Sequence, residues 1–119
     1  MKIAVTAQGM DPDSAVDLRL GRAQGFVLYD TDTGQFESAD NTQNLQASQG
    51  AGIQTAQNLA RLGAKAVITG HCGPKAFRLL QSAGIAVFTG ASGTVREAIE
   101  AYLSGRLKAA TAPDVEAHW

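Results

Sequence analysis

Two stretches of the chain, Ala66–Gly70 (AVITG) and Ala86–Gly90 (AVFTG), repeat one pattern, and this pattern decides the fold class. Each is a short apolar run that ends in Thr-Gly, and each leads through a glycine-containing loop into a helix-like segment. A strand, a helix and a second strand in this order form a βαβ unit, whose strands are parallel. We therefore predict an α/β fold with parallel strands at Ala66–Thr69 and Ile85–Phe88.

Three further strand-like runs lie nearer the N-terminus, at Ile3–Ala7, Phe26–Asp30 and Gln35–Glu37. The last two are separated by the turn-rich Thr31–Gly34 (TDTG), which predicts a hairpin. The runs that begin at Ile3 and Ala66 are continuously apolar rather than alternating. Such runs are typical of central strands that are buried on both faces of a sheet.

Three helices are predicted after the hairpin. The first covers about Gly52 to Leu62, and the second begins at Pro74, because proline is favoured at the first helical position. The third begins at the capping box Thr94–Glu97 (TVRE) and ends at Gly105. Their predicted apolar faces are Ile53, Ala56, Leu59 and Ala60 in the first, Ala76, Phe77, Leu80 and Ala83 in the second, and Val95, Ala98, Ile99 and Tyr102 in the third.

Length and composition exclude several classes of protein. The chain has 119 residues, the size of one domain, and a net charge of −1 gives no reason to expect general binding to nucleic acid or to a membrane. Its single cysteine rules out an intramolecular disulfide and favours a reducing compartment. No run approaches the ~20 apolar residues that span a bilayer, and Ile3–Ala7 is too short for the core of a signal peptide. We predict a soluble, cytoplasmic protein.

One α/β domain is predicted over residues 1–107. The Ala-rich segment 108–119 has no hydrophobic periodicity, and we predict a loosely ordered tail whose Trp119 is a candidate for docking on the domain.

The predicted topology also locates a candidate site. Parallel strands place their carboxyl ends at one edge of the sheet, and open α/β sheets bind ligands at that edge. Segments 8–25, 70–74 and 90–94 are expected to meet there, with 46–52 nearby.

The residues of these segments favour an anionic ligand. Helix N-termini carry unpaired amide groups and a partial positive charge, and Arg19, Arg22 and Lys75 add full charges. His71 and Cys72 add a borderline and a soft metal ligand. The alternative is that the glycines only make tight turns and the arginines are hydrated.

Cys72 has two interpretations at this stage. Its place in a Gly-His-Cys-Gly-Pro turn predicts partial exposure, and a helix N-terminus would favour its thiolate. A lone cysteine is also often a small buried apolar residue. A closed structural zinc site is excluded, because it needs four ligands and the other histidine, His118, lies in the tail.

The stretch His71–Arg78 (HCGPKAFR) also matches His-Cys-x5-Arg, the pattern of cysteine-dependent phosphatases. In these enzymes a thiolate attacks phosphorus, and Asp11 or Asp13 would be the acid. However, Pro74 lacks an amide donor, and Leu79 stands where these enzymes usually carry a hydroxyl. A phosphatase is the second candidate function, and an interaction module without a ligand is the third.

Several segments resemble the dinitrogenase iron–molybdenum cofactor biosynthesis family in their order and spacing, across residues 1–107. The matching segments are Ile3–Thr6, Leu20–Ala23 with Phe26–Val27, Gly50–Ile53, Val67–Gly70, Gly73–Phe77, Ala83–Ile85, and Gly93–Val95 with Glu97–Ala98.

The resemblance implies a ribonuclease H-like, three-layer α/β/α fold. Its five-stranded mixed sheet would have the order 3-2-1-4-5, with strand 2 antiparallel. Non-catalytic binding of an anionic metal–sulfur cluster is the implied function, as a carrier, scaffold or store.

The stretch Gly70–Phe77 looks most like the orange protein subgroup, whose members carry a mixed molybdenum–copper sulfide cluster. The other implied cargo is an iron–molybdenum cofactor precursor, and the implied partners are thiomolybdate and cluster-assembly or acceptor proteins. Leu20 departs from the family pattern, where phenylalanine is frequent, and His71-Cys72 replaces residues that are often not ligands.

The candidate site drawn from the residues and the resemblance has eleven members, among which Cys72 and His71 are the candidate metal ligands. They are Arg19, Gly21, Arg22, Gly70, His71, Cys72, Gly73, Lys75, Ser92, Gly93 and Thr94.

Overall fold

A computed structural model of the chain describes residues 1–41 and 51–113. The predictions that concern residues 46–50, His118 and the docking of Trp119 lie outside the described residues.

The described chain forms five strands, three α-helices and one 3-10 turn. Their bounds are β1 Lys2–Ala7, the 3-10 turn Leu20–Arg22, β2 Gly25–Asp30, β3 Phe36–Asp40, α1 Ala51–Arg61, β4 Ala64–Ile68, α2 Pro74–Ser82, β5 Ala86–Phe88 and α3 Val95–Leu103. Strand β3 extends beyond its predicted end at Glu37, because it pairs with β2 as far as Asp40. The 3-10 turn was not predicted.

The strands form one mixed sheet in the order β3-β2-β1-β4-β5. Strands β1, β4 and β5 are parallel, whereas β2 is antiparallel to both of its neighbours. Residues Ile3 to Ala7 of the central strand are all fully buried, as the continuous apolar run predicts. The predicted strand order and the antiparallel second strand are confirmed.

Helices cover both faces of the sheet, because alternate residues of each strand enter different cores. Ala4 of β1 and Val67 of β4 belong to a core with α1, α2 and the 3-10 turn. Val5 and Ile68, their neighbours along the strands, belong to a second core with α3. These layers are those of the three-layer α/β/α fold that the resemblance implies.

The predicted apolar helix faces are wrong at two positions, because Ala60 and Ala83 are exposed. Helix α1 instead buries Thr55 and Asn58, and both are hydrogen-bonded to Asn41 at the end of β3. Polar side chains are readily buried when they find such partners, and an alanine at the margin of a helix face gains little from burial.

The segment after α3 returns to the sheet. Ala109 forms a bridge with Phe88, and the amide of Ala110 donates to the carbonyl of Val87 over 2.7 Å. The division into a domain at 1–107 and a tail at 108–119 stays a prediction.

No helix within residues 1–41 and 51–113 has the length and apolarity that crossing a membrane would require.

Candidate functional site

Two buried hydroxyls lie at the edge of the sheet where β1 and β4 end. This edge is called the carboxyl edge. Thr6 and Thr69 are both 0% exposed, and their Oγ1 atoms are hydrogen-bonded over 2.9 Å. The Thr6 hydroxyl also donates to the carbonyl of Asp17 over 2.7 Å, and the amide of Asp17 donates to the carbonyl of Thr6 over 2.8 Å. Asp17 is therefore fixed directly above the ends of the two central strands.

From Asp17 the 8–25 loop runs parallel to the residues that follow β4. The amide of His71 donates to the carbonyl of Leu18 over 2.8 Å, and the amide of Leu20 donates to the carbonyl of His71 over 3.2 Å. Arg19 and His71 are thereby in register across a parallel bridge, and both are half-buried. The Nε atom of Arg19 is itself buried. The structure thus brings together two of the predicted site residues.

Gly70 permits this pairing by its lack of a side chain. A Cβ atom at position 70 would lie 2.7 Å from the carbonyl oxygen and 2.8 Å from the Cα of Leu18. Both are backbone atoms, which cannot turn away as the end of a side chain can. Glycine is therefore required here by the close approach of two chain segments.

The 3-10 turn carries Gly21 and Arg22 past the same edge. Its first residue, Leu20, is buried, and Arg22 is exposed. The end of the turn is fixed because Asn41 Nδ2 donates to the carbonyl of Ala23 over 2.9 Å. Arg22 is therefore a solvent-facing cation on an anchored turn.

Helix α2 begins directly after this loop. Its N-cap is Gly73, which has no side chain to accept from the first amides, and Pro74 takes the first helical position. The positive end of the helix dipole thus lies beside the Arg19–His71 pair, and Lys75 in the first turn is exposed.

Helix α3 does not offer the unpaired amides that the sequence predicts. The amides of Val95 and Arg96 donate to the carbonyls of Ser14 and Pro12 over 2.9 Å and 2.8 Å. Thr94 and Glu97 form the predicted capping box, with the Glu97 amide donating to Thr94 Oγ1 over 3.1 Å. The first amides of α3 are therefore already hydrogen-bonded to the chain's own carbonyls and hydroxyl.

The capping box also perturbs Glu97. Hydrogen bonds from the amide and the hydroxyl of Thr94 hold the pKa of the Glu97 carboxyl below its usual value.

The nearby residues Ser92 and Gly93 are exposed, and the carbonyl of Gly93 accepts from the amide of Val16 over 2.9 Å. Segment 92–94 therefore contacts an earlier part of the 8–25 loop than the Arg19–His71 pair does.

Cys72 is 1% exposed, so the prediction of partial exposure is wrong. Its side chain belongs to the apolar core that contains Leu20 and Phe77, and its Sγ lies 3.6 Å from the carbonyl oxygen of Gly73. The thiol therefore faces the core that contains Leu20 of the 3-10 turn and Phe77 of α2.

The phosphatase geometry is not present in this arrangement. A nucleophilic thiolate must be reachable by its substrate, whereas Cys72 is enclosed in the core. Asp13, a candidate acid, forms an ion pair with Arg96 over 3.1 Å.

A site for a bare metal ion has little support in the described chain. Among residues 1–41 and 51–113, no three side chains of His, Cys, Asp or Glu converge as metal ligands. A ligand that brings its own inner coordination, and needs only charge and hydrogen bonds from the protein, fits this donor set better.

Three residues that are hydrogen-bonded to one another at this edge of the sheet were not predicted from the sequence, namely Thr6, Thr69 and Asp17. The available signal was a threonine at the end of each central apolar run, IAVT and AVIT, where the remaining residues are aliphatic. A hydroxyl at such a position needs a partner, and two adjacent parallel strands supply one to each other.

Comparison with known proteins gives a consistent result. A family model described as dinitrogenase iron-molybdenum cofactor matches residues 1–105. The apo form of the orange protein from Desulfovibrio gigas is similar in structure, with a TM-score of 0.92, 46% identity and 96% of each chain covered. A Thermotoga protein provisionally named a NifB protein has a TM-score of 0.76 and 34% identity over 91% of each chain. An uncharacterised protein of Methanocaldococcus jannaschii is 26% identical over 110 residues, covering 91% of this chain and 90% of its own.

Proposed function

Because the chain belongs to the dinitrogenase iron–molybdenum cofactor family, we propose that it binds an anionic metal–sulfur cluster at its carboxyl edge. The protein would act as a carrier, scaffold or store and not as a catalyst. The cluster would contain molybdenum and sulfide, with copper or iron as the second metal, and cluster-assembly or acceptor proteins would be its partners. Copper is the second metal that the resemblance of Gly70–Phe77 to the orange protein subgroup implies.

The observation that carries this proposal is the register of Arg19 with His71 beside the start of α2. A thiometallate is a polyanion with a soft sulfide surface, which charged and neutral N–H donors bind by charge-assisted hydrogen bonds. Arg22, in the 3-10 turn, and Lys75, in the first turn of α2, would contribute exposed charge.

The proposed contact set keeps all eleven predicted residues, with the centre of the site on the α1 and α2 face. It comprises Arg19, Gly21, Arg22, Gly70, His71, Cys72, Gly73 and Lys75, with Ser92, Gly93 and Thr94 at its margin. Of the two candidate metal ligands, His71 is half-buried, whereas Cys72 is 1% exposed and would reach a metal only after a local rearrangement.

The test is an anaerobic titration of the protein with tetrathiomolybdate and cuprous ion, followed through gel filtration with metal analysis of the protein peak. Charge-transfer absorption that co-elutes at a fixed metal-to-protein ratio is the expected result. Absence of co-eluting metal, with iron and sulfide as well as with copper, would refute the proposal.

Two lysines provide a matched comparison of charge. Lys75→Gln removes an exposed cation at the carboxyl edge, and Lys65→Gln removes another exposed cation near the start of β4, at the opposite edge. The Lys75→Gln variant loses one charge-assisted hydrogen bond, worth about 1.5 kcal/mol, and should therefore bind the cluster about tenfold more weakly than the parent. Lys65→Gln should bind as the parent does, and equal weakening by both variants would contradict the site.

A further inference from the structure

The buried hydroxyl pair at Thr6 and Thr69 is not explained by packing alone. Both side chains are 0% exposed among aliphatic neighbours, where valine would fill the same volume without a polar group to satisfy. The hydroxyls are hydrogen-bonded to each other and to the carbonyl of Asp17 in the 8–25 loop, and the Thr6 hydroxyl also lies 3.5 Å from the carbonyl oxygen of Ile68 in β4. The shortest of these bonds, 2.7 Å from Thr6 to Asp17, joins the sheet to that loop.

A continuous chain of hydrogen bonds leads from this pair to the proposed cluster contacts. The Asp17 peptide is held on both sides, because its amide donates to Thr6 and its carbonyl accepts from the Thr6 hydroxyl. The Asp17 carboxylate, at Oδ1, then accepts from the amide of Arg19 over 3.2 Å. The next link is the bond from the His71 amide to the carbonyl of Leu18.

We propose that Thr6 and Thr69 are positioning residues, which hold Arg19 in register with His71 for an anionic thiometallate without contacting it. This inference rests on the proposed function. Ligand-holding groups bind tightly only when neighbouring hydrogen bonds fix their orientation, so loss of the hydroxyl pair should weaken binding more than it weakens the fold. The binding effect should also depend on the hydroxyl and not on the volume of the side chain.

The test compares four proteins for binding of tetrathiomolybdate with cuprous ion. Thr6→Val removes the hydroxyl and keeps the shape, whereas Thr6→Ser keeps the hydroxyl. Ile3→Val is the matched control, because it shortens a fully buried side chain near the opposite end of β1. We expect Thr6→Val to bind about tenfold more weakly than the parent, and Thr6→Ser and Ile3→Val to bind as the parent does.

A second measurement reports on the geometry itself. Hydrogen exchange at the His71 amide should be faster in Thr6→Val than in Ile3→Val at equal global stability, because only the first change loosens Leu18. Should Thr6→Val not fold, Thr69→Val removes the other hydroxyl of the pair and takes its place in both measurements.

The two possible failures are distinguishable. If the parent binds no thiometallate, the proposed function fails and the positioning role falls with it. If the parent binds and Thr6→Val binds equally well, or if exchange at His71 is unchanged, only the positioning role is overturned. Equal weakening by Thr6→Val and Ile3→Val would also overturn it, since the effect would then follow stability.

Discussion

Replacing Gly70 with alanine should destabilise the protein by about 2 kcal/mol and release the segment that carries Arg19. The new Cβ would lie 2.7 Å from the carbonyl oxygen of Leu18 and 3.0 Å from its Cβ, so one of the two segments must move. Movement breaks the two backbone hydrogen bonds between His71 and the 18–20 segment, each worth about 1 kcal/mol. If the segments stay together, overpacking costs about 1–3 kcal/mol. Both routes lead to a similar loss.

The measurement is urea denaturation followed by far-UV circular dichroism, together with hydrogen exchange at the His71 amide. Gly84→Ala is the control, because Gly84 has a φ of 74° and nothing lies within 4 Å of the place its Cβ would take, so alanine there is strained without a collision. Gly84→Ala should lower stability by about 1 kcal/mol and leave exchange at His71 as in the parent. Parental stability and parental exchange in Gly70→Ala would refute the close-approach argument.

Three further predictions concern other contacts. Thr94→Ala should cost about 1 kcal/mol of unfolding free energy in urea at neutral pH. The pKa of Glu97 is held below 4.5 first by the amide of Thr94 and then by its hydroxyl, so the contribution of this carboxyl is present above pH 4.5 and lost as the pH falls through the folded pKa. Alanine keeps the amide and removes the share of the hydroxyl, so a difference from the parent that stays constant into acid would contradict the coupling. The pKa of the Met1 amine is raised above 8.0, chiefly by its hydrogen bond to Asp32. The contribution of this amine to stability is therefore present below pH 8.0 and lost as the pH rises through the folded pKa. An NMR titration should show a lower amine pKa in Asp32→Asn, and an unchanged amine pKa would exclude this pairing. Cys72→Ser should lower the free energy of unfolding by about 1–3 kcal/mol, because it places a hydroxyl in an apolar core. In the parent, the buried thiol should react with a disulfide reagent only as fast as the protein opens. Rapid labelling of the native state would show instead that Cys72 is accessible.

The sequence predicted those parts of the fold that depend on local signals. Pro74 and the Thr94–Glu97 capping box define the starts of α2 and α3, and the apolar runs define β1 and β4. Burial of Asn58 in α1 was not predictable in this way, because its partner Asn41 is distant in sequence. Helical periodicity shows which side chains form an apolar face, but it does not show which polar side chains will be hydrogen-bonded to each other.

The internal repeat shows the same limit within a single motif. Gly70 and Gly90 both follow a threonine at the end of a parallel strand, and the sequence alone suggests equivalent roles for them. Gly70 is required by its contact with the backbone of Leu18. Gly90 has nothing within 4 Å of a Cβ but a φ of 84°, so the conformation of its own backbone favours glycine there. Two identical dipeptides thus satisfy different physical constraints.

The difference between the two helix starts supports placing the proposed site on one face of the sheet. Sequence alone presents α2 and α3 as equivalent sources of positive potential at the carboxyl edge. The chain itself supplies carbonyls to the first amides of α3, and the carboxylate of Glu97 completes its cap. An anion approaching α3 would therefore have to displace these groups and would meet a negative charge. Helix α2 begins with Gly73 and Pro74, has no acidic residue in its first turn, and lies beside a half-buried arginine. These differences support our placing the proposed polyanion site at α2 rather than at α3.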